Sequence, residues 1–328
     1  MTRRTFFALS AFLPAWLALC APALAAADAS SPDENRLLPT PDLVLEIPGL
    51  GPCNDNPDRR LQLRRGEPVK LMVHGCRGSA GEFRSLSRVF AFQGQQSACF
   101  SYDDRAALDD AAGGLRRALQ QLADATPGSA LTLIGHSQGA LISRRAVSTQ
   151  ALSIPDQAVP AVELVTISGP FAGIAAAAPC GWTWLHVLSL GLTAASCRIG
   201  TGAKWTDISA ASHFIRAPGA LSPGVSRHLK IDTDERDSCR REEGGRCVES
   251  DEIFSLAEQR SPTVEADPRT QRLELQAGHV EVVGDRHIEP RKLIALLQRE
   301  GVLRQAAPSR QAAFSQLISR LYGPARKD

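Results

Sequence analysis

Short apolar runs alternate with amphipathic segments between residues 69 and 168, and this alternation constrains the fold more than any other feature. The apolar runs have the length of buried strands, and the segments between them have helical spacing. The strand-like runs are Val69–Val73, Ala98–Tyr102, Ala130–Ile134 and Ala161–Ser168, and the helix-like segments are Ala80–Phe92, Ala106–Ala123 and Ala140–Val147. Alternation at this spacing builds βαβ units. The sequence therefore predicts an α/β fold with a mostly parallel central sheet flanked by helices.

The alternation stops after the fourth strand-like run. No Asp, Glu, Lys or Arg occurs from Leu164 to Cys197, and Pro170 and Pro179 argue against one continuous membrane-spanning helix. We predict a lid-like apolar insertion at about residues 170–223, with an ordinary buried helical hairpin as the alternative. Its apolar surface is expected to include Trp182, Trp184, Leu185, Val187, Leu188 and Leu190.

The rest of the chain reads as an irregular segment followed by further regular elements. Residues 202–245 are irregular and polar, with a possible strand at Leu229–Ile231. The later sequence predicts strands at Glu252–Ala257 and Gln271–Gln276, and helices at Pro290–Arg299 and Gln311–Leu321.

The N-terminus has the basic, apolar and small-residue regions of a secretory signal peptide, with cleavage expected after Ala25. Arg3 and Arg4 resemble a twin-arginine signal. We predict a signal peptide at residues 1–25, a flexible leader at 26–42 and one domain at 43–328. The expected location is therefore secreted or periplasmic.

Charge and cysteine content limit the partners and the redox compartment. Removal of residues 1–25 leaves 35 basic and 35 acidic residues, because only Arg3 and Arg4 are charged in that segment. This balance argues against nucleic acid as the main ligand. No cluster has the spacing of metal ligands, and no cofactor is expected. The oligomeric state stays open.

The expected mature chain has seven cysteines, in a compartment that permits disulfides. Cys239 and Cys247 flank a short polar loop that could close easily, and Cys180 and Cys197 bracket the apolar insertion. Which two of the remaining three pair is not decided by the sequence; these are Cys53, Cys76 and Cys99.

The pentapeptide Gly135–Gly139 has the form G-x-S-x-G and lies between a strand-like run and a helix-like segment. In that context it predicts a nucleophile elbow, which presents Ser137 on a sharp turn at the edge of the sheet. A serine hydroxyl is a weak nucleophile at neutral pH, so Ser137 needs a histidine base and a carboxylate that orients this base.

His279 is the predicted base, because it follows the last strand-like run and precedes a helix; His287 is its nearby rival. Glu258 is the first choice for the acid, since the end of a predicted strand is a rigid platform. The alternatives left open for the acid are Glu265, Asp267, Asp232 and Asp234.

Two backbone N–H groups are expected to stabilise the oxyanion of a tetrahedral intermediate. One belongs to Gln138, the residue after the nucleophile. The other is predicted at Cys76, in a glycine-rich turn that follows the strand Val69–Val73. Only the backbone of Cys76 is needed, so its thiol remains available for a disulfide.

These residues resemble the α/β-hydrolase superfamily and, within it, the secreted lipases and esterases. The resemblance rests on the His74-Gly75 loop, the Gly-His-Ser-Gln-Gly elbow and Gly278-His279, and it covers roughly residues 43–300. It implies an eight-stranded sheet with cap insertions and cofactor-free ester hydrolysis. The family often has aspartate where this chain has Ser261.

The expected function is that of a secreted serine hydrolase of the carboxylesterase or lipase type, which forms an acyl-enzyme on Ser137. The apolar insertion favours a small-molecule or lipid ester with an acyl chain, and contact with a lipid surface. Acyl transfer or thioester hydrolysis by the same triad is an alternative within enzymes. A non-catalytic binding protein on a hydrolase scaffold is the alternative from another class.

Overall fold

A seven-stranded, mostly parallel sheet forms the centre of the structure. The computed structural model describes residue 38 and residues 40–149, 159–177, 188–189, 202–285 and 288–323. The strands are β1 (Leu43–Leu45), β2 (Leu50–Gly51), β3 (Leu61–Leu63), β4 (Val69–Val73), β5 (Gln96–Phe100), β6 (Leu131–His136), β7 (Val162–Ile167), β8 (Val225–Asp234), β9 (Cys239–Glu243), β10 (Arg246–Ser250) and β11 (Thr270–Gln276).

Helices connect the strands of this sheet and cover both of its faces. The α-helices are α1 (Arg84–Phe92), α2 (Leu108–Ala125), α3 (Gln138–Ala146), α4 (Lys204–Asp207), α5 (His213–Arg216), α6 (Leu256–Gln259), α7 (Pro262–Glu265), α8 (Arg291–Arg299) and α9 (Gln311–Tyr322). Single 3₁₀ turns lie at Ala80–Phe83, Ala175–Ala177 and Pro308–Arg310.

The strand order of the large sheet is β11-β8-β7-β6-β4-β5-β2, and only β2 runs antiparallel to its neighbour. After β4 the chain adds β5 on one side and then returns to place β6 on the other side. The order therefore reverses between β4 and β6. Loops after such strands diverge and leave a crevice at the carboxyl edge, where α/β proteins bind ligands.

Apolar side chains pack on both faces of the sheet, as buried parallel strands require. Leu71 and Val73 face the layer that contains α2 and α3, whereas Met72 faces the layer that contains α1, α8 and α9. All five residues of β4 and all six of β6 are buried. The two strands that carry the central loops are therefore buried along their whole length.

Two parts of the predicted element pattern are wrong. The segment predicted as irregular contains β8, a strand of ten residues, and the predicted strand Glu252–Ala257 is an irregular stretch followed by α6. Only Leu229–Ile231 of β8 was predicted as a possible strand, because polar residues alternate on one of its buried faces. Lys230 and Asp232 form an ion pair there at 2.5 Å, and His228 bonds the Thr166 hydroxyl at 2.8 Å.

The described structure tests only part of the lid and sheet expectations. The large sheet has seven strands within the described ranges, where the resemblance implied eight. Residues 178–187 and 190–201 of the predicted lid, which include Trp182, Trp184 and the pair Cys180 and Cys197, lie outside the described residues, as does the signal peptide. Within the described part of the chain, no helix is long and apolar enough to cross a membrane.

Two disulfides are present among the described residues. Cys53 bonds Cys99 across 46 residues of sequence, and Cys239 bonds Cys247 at the hairpin formed by β9 and β10. The third cysteine of the undecided set, Cys76, carries a free thiol.

We expect loss of the Cys53–Cys99 bond to destabilise the protein more than loss of the hairpin disulfide. Loop-closure entropy assigns about 4 kcal/mol to a closed loop of this length and about 2.5 kcal/mol to the shorter hairpin loop. The measurement is denaturant unfolding of the C53A/C99A and C239A/C247A double variants against the wild type. An equal or larger loss in the hairpin variant would contradict the expectation.

Candidate active site

The predicted elbow is present, and it holds Ser137 in a strained backbone conformation. Ser137 lies between β6 and α3 with φ of 56° and ψ of −124°, outside the regions that L-residues favour. A Cβ on Gly135 would lie 2.4 Å from the carbonyl oxygen of Gly139, and a Cβ on Gly139 would lie 2.2 Å from that of Val73. Both glycines are therefore required for the close packing of helix on strand.

The two predicted oxyanion donors lie on loops that meet at this elbow. Gln138 is the first residue of α3, so its N–H group has no acceptor within the helix. A Cβ on Gly75 would lie 2.9 Å from Ser137 Cβ, which places the turn that contains Cys76 directly against Ser137. The reversal of strand order between β4 and β6 brings these loops together.

Asp104, in the loop that follows β5, forms hydrogen bonds to both loops that are predicted to supply the oxyanion donors. Its Oδ2 accepts from the N–H of Arg77 at 2.7 Å and from Lys204 Nζ at 2.8 Å, and its backbone oxygen accepts from Gln138 Nε2 at 3.2 Å. Burial raises the pKa of Asp104, but Lys204 and the Arg77 N–H lower it more, so the net direction is down. The turn at Cys76 is therefore anchored by a carboxylate that stays ionised at neutral pH.

The structure places His279 beside the elbow and against a carboxylate. His136, the residue before the nucleophile, donates from Nε2 to the backbone oxygen of His279 at 3.0 Å. His279 Nδ1 donates to Glu235 Oε1 at 2.8 Å. This bond fixes the tautomer in which Nε2 is free to accept a proton, which is the arrangement that a general base needs.

Glu235 is buried, and hydrogen bonds occupy both of its carboxylate oxygens. Ser168 Oγ donates to Oε1 at 2.7 Å, and Thr233 Oγ1 lies 2.9 Å from the same atom. The backbone N–H groups of Ile253 and Phe254 donate to Oε2 at 2.6 and 2.7 Å. Burial raises the pKa of Glu235, but the bond from His279 and these donors outweigh it and lower the pKa overall.

Glu258, the acid predicted from the sequence, occupies a different position. Its Oε2 accepts from the N–H and hydroxyl of Ser255 in a capping box at the start of α6, and its Oε1 accepts from the N–H of Ala175 at 2.8 Å. The prediction placed Glu258 at the end of a strand, and that strand does not exist. Glu235 is the carboxylate that contacts the Nδ1 atom of His279.

The other acid candidates are engaged by basic side chains. Asp232 pairs with Lys230 and with Arg272 at 2.6 Å, and Glu265 lies 3.0 Å from Lys230. Asp267 and Asp234 form bidentate pairs with Arg269 and Arg236. The rival base, His287, lies outside the described residues.

Glu235 was missed although a signal for it exists in the sequence. It directly follows β8, most of which was concealed by its polar alternation, and the candidate acids predicted on this segment end one residue earlier, at Asp234. Had the full strand been recognised, its carboxyl end would have pointed to Glu235 in the same way that the end of β6 pointed to Ser137.

The environment of His279 predicts an acidic limb of the activity profile below pH 6.5. Burial lowers the pKa of His279 below its ordinary 6.5; Glu235 and Asp251 oppose this shift, while His136 reinforces it. A general base must be neutral to act, so activity should persist below pH 6.5 and fall only at the lowered pKa. Because the folded protein binds a proton at His279 less readily than the unfolded chain does, protonation of His279 favours unfolding. The free energy of unfolding should therefore decrease as pH falls from 6.5 towards the lowered pKa of His279.

The pH dependence of kcat/KM for a soluble ester checks this expectation. The ester must have no titrating group between pH 4 and 8, and protein integrity is followed in parallel by circular dichroism. A midpoint at or above pH 6.5 would contradict it.

The elbow and the loop of His279 are among the features on which the resemblance to α/β-hydrolases rests. A family model described as alpha/beta hydrolase, Abhydrolase_8, matches residues 93–168. The matched residues run from the end of α1 to Ser168 and include the whole elbow. The chain has the α/β-hydrolase fold. The resemblance noted from the sequence is thereby confirmed, together with the mostly parallel sheet flanked by helices.

Solved structures with a similar α/β-hydrolase fold include lipases and an epoxide hydrolase. Mature Bacillus licheniformis lipase BlEst2 is 14% identical, with 81% of this chain and 100% of that chain covered and a TM-score of 0.48. A Paleococcus ferrophilus monoacylglycerol lipase is 13% identical (78% and 97% covered, TM-score 0.42). Bacillus megaterium epoxide hydrolase is 12% identical (78% and 99%, TM-score 0.41). A comparison with curated sequences finds no match.

Proposed function

We propose that the protein is a serine hydrolase that cleaves carboxylic esters through an acyl-enzyme on Ser137. The observation that carries this proposal is the hydrogen bond of 2.8 Å between His279 Nδ1 and the buried Glu235, in a loop that contacts the residue before the nucleophile. A histidine held in this tautomer can act as the base that the Ser137 hydroxyl needs.

Each residue has a defined task in the proposed reaction. Ser137 Oγ attacks the ester carbonyl while His279 Nε2 takes its proton, and Glu235 stabilises the imidazolium that forms. The N–H groups of Cys76 and Gln138 stabilise the oxyanion. His279 then protonates the leaving alcohol. Water then attacks the acyl-enzyme while His279 takes a proton from it, and His279 returns that proton to Ser137 Oγ as the carboxylic acid is released.

We further propose export and an acyl-chain substrate. The basic and apolar N-terminus favours secretion, and the two disulfides suit an oxidising compartment. The uncharged stretch from Leu164 to Cys197 begins within the strand β7, whose carboxyl end is followed by Ser168, and we propose that it supplies apolar surface for the substrate. A small-molecule or lipid ester would use this surface, and contact with a lipid surface is part of the same proposal.

A fluorophosphonate probe tests the proposed enzyme class. It should form one covalent adduct, which peptide mass mapping should place on Ser137 and not on Ser168. Absence of an adduct, under conditions that label a control serine hydrolase, would reject the enzyme and favour a non-catalytic binding protein.

A series of nitrophenyl esters from acetate to palmitate tests the substrate class. We expect kcat/KM to increase with acyl length beyond acetate, because each buried methylene contributes about 0.8 kcal/mol of transfer free energy. Equal values across the series would reject the acyl-chain proposal and leave esterase activity itself unaffected.

A further inference from the structure

Asp251 binds the loop that carries His279 through both its backbone oxygen and its carboxylate. Its backbone oxygen accepts from the N–H of His279 at 2.9 Å. Its carboxylate accepts from the N–H of Val280, at 3.0 Å to each oxygen, and from the N–H of Glu281 at 2.9 Å. Asp251 is only 1% exposed, so these bonds form in a region from which water is largely excluded.

The segment that begins at Asp251 also holds the acid. The N–H groups of Ile253 and Phe254 bind Glu235 Oε2, and the Phe254 ring lies edge-on to the His279 ring with 4.8 Å between the centroids. Residues 251–254 therefore connect the backbone around the base with the carboxylate that orients it.

Gly278 makes room for the Asp251 carboxylate beside the histidine loop. A Cβ on Gly278 would lie 2.2 Å from Asp251 Oδ2, so only glycine permits this approach. Two N–H groups, those of Val280 and Glu281, converge on one carboxylate that the proposed proton transfer does not use, and the N–H of His279 binds the backbone oxygen of the same residue. This convergence requires an acceptor-only group, because an amide nitrogen at either oxygen position would face an N–H donor.

We propose that Asp251 is a positioning residue for His279, which fixes the imidazole relative to Ser137 and Glu235. The proposal rests on the proposed hydrolase function and adds a residue to it that does not touch the reacting atoms. Displacement of a catalytic group by about 1 Å can cost about 100-fold in rate. The effect of losing Asp251 should therefore fall on the chemical step rather than on substrate binding.

Kinetics of Asp251→Asn against a matched neighbour test the proposal. We expect kcat to fall about 10- to 100-fold with KM changed by less than about threefold, since the base is misplaced and the substrate surface is intact. Glu252→Gln is the control, because Glu252 is exposed and adjacent; its kcat should stay within about twofold of wild type. Equal kcat for Asp251→Asn and wild type, per folded molecule, would overturn the proposal.

A second measurement does not depend on turnover. The His279 ring is titrated by NMR in the wild type and in Asp251→Asn, with assignment through His279→Gln. Glu235, His136 and Asp251 are charged or titrating groups that face this ring, and Glu82 also interacts electrostatically with it. A titration midpoint that changes both in Asp251→Asn and in Gly278→Ala, which keeps the Asp251 charge, supports positioning by Asp251, even if the wild type hydrolyses no ester and the hydrolase function fails. An unchanged midpoint in a folded variant overturns it.

Gly278→Ala provides an independent perturbation if Asp251→Asn does not fold. The new methyl group would displace the Asp251 carboxylate and leave its charge in place. The same fall in kcat and the same change in the titration of His279 are expected. A folded Gly278→Ala variant with wild-type kcat and titration would overturn the proposal.

Discussion

Replacement of Ser137 by alanine is expected to lower kcat for a nitrophenyl ester by about 10⁶-fold, the size of loss seen when a triad nucleophile is removed. The fold should persist, because the side chain is small and the elbow backbone is held by the packing of Gly135 and Gly139. Substrate should still bind, so KM should change little. A variant that keeps more than about 1% of wild-type kcat would show that another group is the nucleophile.

Ser137→Gly separates the catalytic from the conformational role of this position. Like alanine, glycine removes the hydroxyl, but it also relieves the strain of a residue held at a φ of 56°. We expect Ser137→Gly to be as inactive as Ser137→Ala and more stable than it by about 1 kcal/mol. Glycine relieves about 1–3 kcal/mol of backbone strain at this φ, but part of that gain is lost because glycine makes the unfolded chain more flexible. Denaturant unfolding of both variants measures the difference.

Replacement of Glu235 by glutamine is expected to lower kcat by about 10⁴-fold. Glutamine would fill the same space, but it cannot stabilise the imidazolium, and its amide can force the wrong histidine tautomer. It would also leave some of the donors around Oε1 and Oε2 without an ionised acceptor, so a loss of about 1–3 kcal/mol in unfolding free energy should accompany the loss of activity. Steady-state kinetics and denaturant unfolding check both parts.

Glu258→Gln is the matched control for this substitution. Glu258 was the acid predicted from the sequence, but the structure gives it a helix cap and a bond to Ala175. Its loss should cost about 1 kcal/mol of stability and leave kcat within about threefold of wild type. A larger loss of kcat in Glu258→Gln than in Glu235→Gln would restore the original assignment and contradict the geometry.

Local patterns were sufficient where the relevant contacts are local. The elbow glycines, the apolar strand before them and the helix after them lie within a few residues of Ser137, so one short stretch of sequence specified the turn. The strands β4, β5, β6 and β7 were predicted for the same reason, because buried strands of a parallel sheet are continuously apolar. The base followed from chain order, as the loop after the last strand carries His279.

The acid could not be found in this way, because its choice depends on contacts across the sheet. Four carboxylates close to the candidate loops pair with lysine or arginine. Asp234 and Asp267 pair with an arginine two positions along the chain, whereas Asp232 and Glu265 reach basic residues 40 and 35 positions away. Nothing in the local sequence distinguishes such a carboxylate from Glu235. The buried ion pair between Lys230 and Asp232 even disguised the strand that leads to it.

The sequence by itself determined the α/β class, the elbow at Ser137 and the loops beside it, since each depends on residues adjacent along the chain. Only the tertiary structure decided that Glu235 contacts His279, that Cys53 bonds Cys99, and that Asp251 binds the backbone around His279. Those outcomes depend on which strand ends lie side by side at the carboxyl edge. Strand order and register set that arrangement, and both arise from packing the whole sheet rather than from any one segment.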